Sequence, residues 1–212
     1  MPLDHGNKTH VNLLRAIYCA YTGADVAVPT KGAHWTELGF QGSDPSTDLR
    51  GGGMLSLWLM YNLHHHNAKN AVRIFKLSTD LSHEFPFAVV CVNATVWTIK
   101  ALKHASLNSH ANRMDSVIQA TKDFYVGAMY EFFRCWKRAG GAMSRSGFIM
   151  KEVKRRARSS VSEMIKLAEV DDVRDLAVWE DDKDCLRSVL AWPSCCSRRD
   201  QLEFDAFPKA NP

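Results

Sequence analysis

Apolar residues recur at three- and four-residue steps along most of this chain, the spacing that lines one face of a helix. From Val11, the positions Leu13, Leu14, Ile17, Tyr18 and Tyr21 keep that spacing until Gly23 offers a stop. Residues 22 to 33 carry Pro29 and glycines and read as a loop. The run from Trp35 to Gly53 is rich in Gly, Asp, Pro, Ser and Thr, the chemistry of turns and of a helix entry. Asp44 before Pro45 suits a capping residue followed by proline at the first helical position. Met54 to Leu63 is apolar nearly all round, which predicts a deeply buried helix continuing, more polar, toward Phe75.

Phe85 to Ile99 is apolar too, and Val89, Val90 and Val92 suit a strand as well as a helix. Its length, Ala88, Ala94 and the lack of a breaker after Pro86 favour a helix beginning near that proline. Asn93 then sits inside an apolar helix and needs a hydrogen-bond partner. Asn108 to Arg113 reads as a polar break. Met114 to Lys137 reads as an amphipathic helix with Met114, Ile118, Tyr125, Met129, Phe132 and Trp136 along its stripe, ended by Gly140 and Gly141. Phe148 to Val170 reads as one further helix, basic on one side. An acidic cluster from Asp171 to Asp184 follows, and Pro193 to Pro212 is loop-like. The expected fold class is all-α.

The balance of 46% hydrophobic and 24% charged residues over 212 positions is that of a globular protein and excludes collagen-like or wholly disordered chains. A net charge of +4 is too mild to argue for nucleic acid. Met1 to Asn7 has no apolar stretch like that of a secretory signal, and no segment is apolar for long enough to cross a membrane. None of the six cysteines forms a C-x-x-C, so free thiols in the cytosol are expected.

Four features carry candidate chemistry. His64, His65 and His66 suggest a metal, but successive helical residues point about 100° apart and cannot converge on one ion. A solvated helix face is the better reading, and no metal is expected. Cys195 and Cys196 beside Arg198 and Arg199 are compatible with lipidation or with a plain tail. Lys151, Lys154, Arg155 and Arg158 share one helix face, either solvated or turned to an acidic partner or an anionic membrane. The fourth is the glycine-rich run before the buried helix. Glycines there can cradle phosphate, but no lysine follows as a Walker loop requires, so nucleotide binding by this chain is not supported. The structural alternative is that the glycines permit positive φ and close packing while Asp44 and Asp48 cap turns. That alternative leaves Arg50 unexplained, a guanidinium on a stiff loop of the kind that meets a partner's phosphates.

The order Trp35, Gly39-Phe40-Gln41, Pro45-Ser46-Thr47-Asp48, Arg50-Gly51-Gly52-Gly53, then Leu57 and Leu59, resembles the signature of the ELMO domain family. Phe85 to Asn93 and Phe124 to Phe133 are similar to later segments of that family. The resemblance covers residues 9 to 168. It implies a single compact helical domain that works on small GTPases, and it says nothing about 171–212. The expected division is an N-terminal helix and loop over 1–33 packing on the domain, a core over 34–168, and a flexible C-terminal helix or tail of unassigned role over 169–212. One branch of the family consists of short proteins that stimulate GTP hydrolysis by Arf-family GTPases, with the signature arginine, here Arg50, as the functional residue. The other contains longer scaffolds that join DOCK-type exchange factors. Chain length and the presence of Arg50 favour the first.

On this resemblance the partner is a GTP-bound Arf or Arf-like GTPase. Arg50 acts in trans as an arginine finger, and Trp35, Gly39, Phe40, Gln41, Pro45, Thr47, Asp48, Gly51 and Gly53 support the loop or touch the partner. No cofactor is implied. The expected location is cytoplasmic, with peripheral contact to endomembranes compatible with it. The competing expectation is a non-catalytic adaptor for a GTPase or an exchange factor.

Overall fold

The computed structural model describes residues 1–24, 28–141 and 143–177, with only the backbone at 177. Among the described residues there are eight α-helices, several short 3₁₀ turns and no strand. Cys185, the Cys195-Cys196 pair, most of the acidic cluster and the loop-like end lie outside the described residues.

Helix α1, Lys8–Thr22, begins where the Asn7 side chain accepts from Thr9 N and His10 N, and ends at Gly23 in the left-handed region. Its Leu14, Ile17, Tyr18 and Tyr21 are buried. Helix α2, Met54–His66, buries Leu57, Leu59, Met60 and Leu63. It does not run on to Phe75. Asn67 takes an extended conformation (φ −154°, ψ 96°), and its side chain accepts from Asn70 N to start α3, Ala68–Ser78. The apolar pattern continues across this cap and hides the break.

Helix α4, Phe87–Lys103, starts at Pro86 as its sequence predicts. Asn93 finds its partner within the helix, donating Nδ2 to Val89 O at 2.9 Å. The expected polar break over Asn108–Arg113 is instead a short helix, α5, because His110 and Ala111 turn inward. Helix α6, Val117–Arg138, is the longest of those described and packs against α2, α4, α5 and further helices beyond it. Its stripe begins later than expected. Met114 caps α5 and is exposed, and Ile118 is 61% exposed, since only from Ala120 onward do neighbouring helices cover this face.

The single helix expected over 148–170 is two: α7, Ser146–Ser159, and α8, Val161–Leu167, broken at Ser160. The break folds α8 back onto α6, where Met164 backbone crosses Gly127 so closely that a Cβ there would collide with Met164 O. Beyond α8 the chain is pinned to α3. Buried Asn70 donates Nδ2 to Tyr130 Oη at 3.0 Å and its Oδ1 accepts from Val173 N at 3.2 Å, while Arg73 pairs with Asp172 at 2.6 Å.

The three histidines part company as the helical geometry requires. His64 meets the edge of Tyr21 at 5.6 Å, and His66 Nε2 donates to Ala168 O at 2.9 Å.

Candidate functional site

The run from Trp35 to Gly53 folds as 3₁₀ turns at Ala33–Leu38, Pro45–Thr47 and Leu49–Gly51, set between α1 and the start of α2. Two aromatic side chains root it. Trp35 is fully buried, donates Nε1 to Pro29 O at 3.2 Å and meets Tyr18 and Phe40 edge-on. Phe40 is buried beside it.

Gly39 ends the first turn at φ 81°, and a Cβ there would strike the backbone of Pro86 and Phe87 at the head of α4. Both constraints demand glycine. Gly39→Ala is expected to lower unfolding stability by about 3 kcal/mol, combining left-handed strain and overpacking. Chemical denaturation checks it, and a loss within experimental error of zero contradicts the packing just described.

From Gln41 onward the turns are tied by carboxylates. Asp48 Oδ2 accepts from Gln41 N at 2.6 Å, which closes the segment 41–48 on itself. Thr47 Oγ1 donates to Asp44 O at 2.9 Å. Asp44 caps the turn at Pro45 through Ser46 N at 3.0 Å, as the Asp-Pro pair predicts, although the element is a single 3₁₀ turn. Its carboxylate also takes His5 Nε2 at 3.0 Å and Lys31 Nζ at 2.6 Å. Partial burial works to raise the Asp44 pKa, but the hydrogen bonds from Lys31, Ser46 and His5 outweigh it and hold the carboxyl well below the usual range. Pro45 is buried, while Gln41 and Thr47 are exposed.

Leu49 is buried and anchors the last turn, and its carbonyl accepts from both Gly52 N and Gly53 N, at 3.2 and 2.6 Å. Arg50, next in the chain, is exposed and makes no hydrogen bond or ion pair among the described residues. The glycines after it serve the fold's interior. A Cβ on Gly51 would lie 2.7 Å from Val96 Cγ2 of α4, and one on Gly52 would meet Ser56 Oγ and Thr95. Gly53 has φ 56°, and its Cβ would collide with Met1 O. The loop therefore lies flush on α4 and on the chain's first residues, and it presents an arginine outward from a backbone that packing holds on the other side.

Sequence reasoning missed His5 and the Met1 carbonyl, which reach the loop from the start of the chain, and Lys31 of the preceding loop; none of the three belongs to a motif. The basic residues of α7 lie elsewhere. There Arg155 folds onto Glu152 with a paired hydrogen bond at 2.9 and 2.7 Å, so that face is partly internally neutralised.

The ELMO/CED-12 family model matches residues 1–150, which include this whole loop. The chain belongs to the ELMO/CED-12 family. It is 36% identical over 166 residues to ELMO domain-containing protein 3 of Mus musculus, covering 77% of this chain and 44% of that protein. Against the Homo sapiens ELMO domain-containing protein 3 it is 35% identical over 170 residues, covering 79% and 45%. Against the Homo sapiens ELMO domain-containing protein 2 it is 29% identical over 144 residues, covering 64% and 47%. The chain thus spans less than half the length of these curated relatives. No solved structure matches it. Among the described residues no helix is long and apolar enough to cross a membrane.

Proposed function

We propose that this ELMO-family protein is a GTPase-activating protein for an Arf or Arf-like small GTPase in its GTP-bound form, and that Arg50 is the residue it supplies. The observation that carries the reading is Arg50 itself: exposed, without an internal ion pair among the described residues, on a loop packed flush against α4. An arginine that locked its own loop would be spent on an internal carboxylate. The nearest loop carboxylates are otherwise engaged, Asp44 by Lys31 and His5, and Asp48 by Gln41 N.

The mechanism follows from phosphoryl-transfer chemistry. As the γ-phosphoryl group leaves, negative charge builds on the β–γ bridging oxygen and on the transferring group. A guanidinium brought in from outside places two parallel N–H donors against those oxygens. Because the loop is already ordered, little reorganisation accompanies the reaction, and the interaction is strongest in the transition state, where it speeds hydrolysis. The chain contributes the arginine and the docking surface, while GTP and its metal ion belong to the GTPase. Residues 34–168 act as the working core, 1–33 pack on it, and 169–212 carry no assigned role. The encounter takes place in the cytoplasm or at the endomembrane that holds the GTPase.

Complex formation with a transition-state mimic tests this reading. GDP with aluminium fluoride imitates the transferring phosphoryl group, so an Arf-family GTPase loaded with both is expected to bind this protein at least tenfold more tightly than the same GTPase loaded with a GTP analogue. Equal affinity for the mimic and for plain GTP analogue states contradicts the finger and favours the adaptor for a GTPase or a DOCK-type exchange factor.

A further inference from the structure

Residues 1–5 run along the Arg50 loop, residues 44–53, from its end to its beginning. At the far end Met1 O accepts from Met54 N at 2.8 Å, beside Gly53, whose missing Cβ makes room for that carbonyl. Leu3 is buried in the core cluster. At the near end His5 donates Nε2 to Asp44 Oδ1 at 3.0 Å. The segment is itself anchored to α1, because Asp4 N donates to buried His10 Nδ1 at 3.1 Å and Asp4 O accepts from Asn7 N at 3.1 Å. Asp44 is the knot. It joins this segment to Lys31 of the preceding loop and to Ser46 N of its own turn, and Gly32 N donates to Ser43 O at 2.7 Å beside it.

We infer that residues 1–5 form a strap that fixes the Arg50 loop at both ends, with His5 and Asp44 as positioning residues for Arg50. The consequence for GTP hydrolysis rests on the function proposed above. Between the two attachments the loop consists of short turns held on one face by buried Leu49 and by the glycines packed on α4, and the end attachments add the remaining restraint on its outer face. A loosened loop samples arrangements in which the guanidinium is away from its productive place. That loss falls on the maximal rate of stimulated hydrolysis, because the arginine acts in the transition state, and leaves the half-saturating concentration nearly unchanged.

The test compares wild type, His5→Ala and His5→Gln in the full chain. His5 is partly exposed, so removal of its ring leaves the fold intact, and thermal unfolding verifies that. Amide hydrogen exchange is expected to speed up about five- to tenfold at Ser46 and Met54 in His5→Ala, the fold-change of one lost hydrogen bond, while the amides of α6 stay as they were. With an Arf-family GTPase, the maximal stimulated rate is expected to fall by about the same factor in His5→Ala. His5→Gln keeps a donor toward Asp44 and is expected to restore both readouts. Unchanged exchange in His5→Ala overturns the strap. Faster exchange with an unchanged maximal rate overturns its positioning role. A wild-type protein that stimulates no GTPase overturns the proposed function, and the strap's part in hydrolysis with it, while the exchange data still decide whether the strap orders the loop.

Discussion

Arg50→Lys is expected to fold as wild type and to lose stimulation of GTP hydrolysis by about 10³-fold, the lower end of what arginine fingers contribute. Stability is expected to stay within about 0.5 kcal/mol of wild type, because the side chain is exposed and holds no partner among the described residues. Lysine preserves the charge and much of the length of the side chain. What it removes is the planar fork of donors that bridges two phosphate oxygens at once. Alanine would remove charge and fork together and would leave open whether simple electrostatic attraction was lost. Lysine separates the two: if a positive charge near the γ-phosphate suffices, Arg50→Lys stays active. A single-turnover rate measured with saturating protein, alongside a thermal melt, reads both quantities.

Glu131→Ala is expected to destabilise the fold by about 3–5 kcal/mol, the range seen when one member of a buried ion pair is deleted. Glu131 is completely buried in α6. Its Oε1 lies 2.8 Å from Arg156 Nε of α7, and its Oε2 lies 2.6 Å from a terminal nitrogen of Arg134, one turn along α6. Arg156 reaches on to Glu163 of α8 at 3.1 Å, and Cys135 Sγ donates to Glu131 Oε1 at 3.3 Å. One carboxylate thus serves two nearly buried guanidiniums and joins α6 to α7, and through Arg156 to α8 beyond the break at Ser160. Without it, two cations in the interior lose the carboxylate that both engage. Glu131→Gln keeps the shape and some hydrogen bonding but not the charge, and it is expected to fall between alanine and wild type. Urea denaturation measures the series. A loss below about 1 kcal/mol for alanine would mean that water reaches the guanidiniums and that the cluster is not the interior tie described.

How much of this was legible before the structure depends on distance along the chain. Local chemistry was: Gly23 as a stop, Asp44 capping the turn at Pro45, Pro86 opening α4, and Asn93 finding Val89 O are all settled within a few residues. The signature run was legible as a family resemblance. Breaks inside apolar patterns were not legible. Asn67 and Ser160 interrupt helices whose buried faces continue on the other side, so periodicity alone reads straight through them. Met114 and Ile118 fit a helical stripe, yet a stripe has no consequence where no neighbouring helix reaches it.

Long-range polar ties were the least legible. Glu131 and Arg134 stand at helical spacing, but nothing local tells that Arg156 closes on the same carboxylate from another helix. His5 and Asp44 are 39 positions apart, and neither residue type signals the other. The glycines after Arg50 show the same limit in another form. Their presence before a buried helix was readable, while their purpose, close packing on α4 and on Met1, required the neighbours to be in place.

The most direct test of the central claim is single-turnover GTP hydrolysis by individual Arf and Arf-like GTPases, each preloaded with GTP, with and without saturating amounts of this protein. The account predicts that at least one of them hydrolyses GTP about 10³-fold faster in the protein's presence. Unchanged rates for every GTPase in the panel, with the protein folded and in excess, would contradict it.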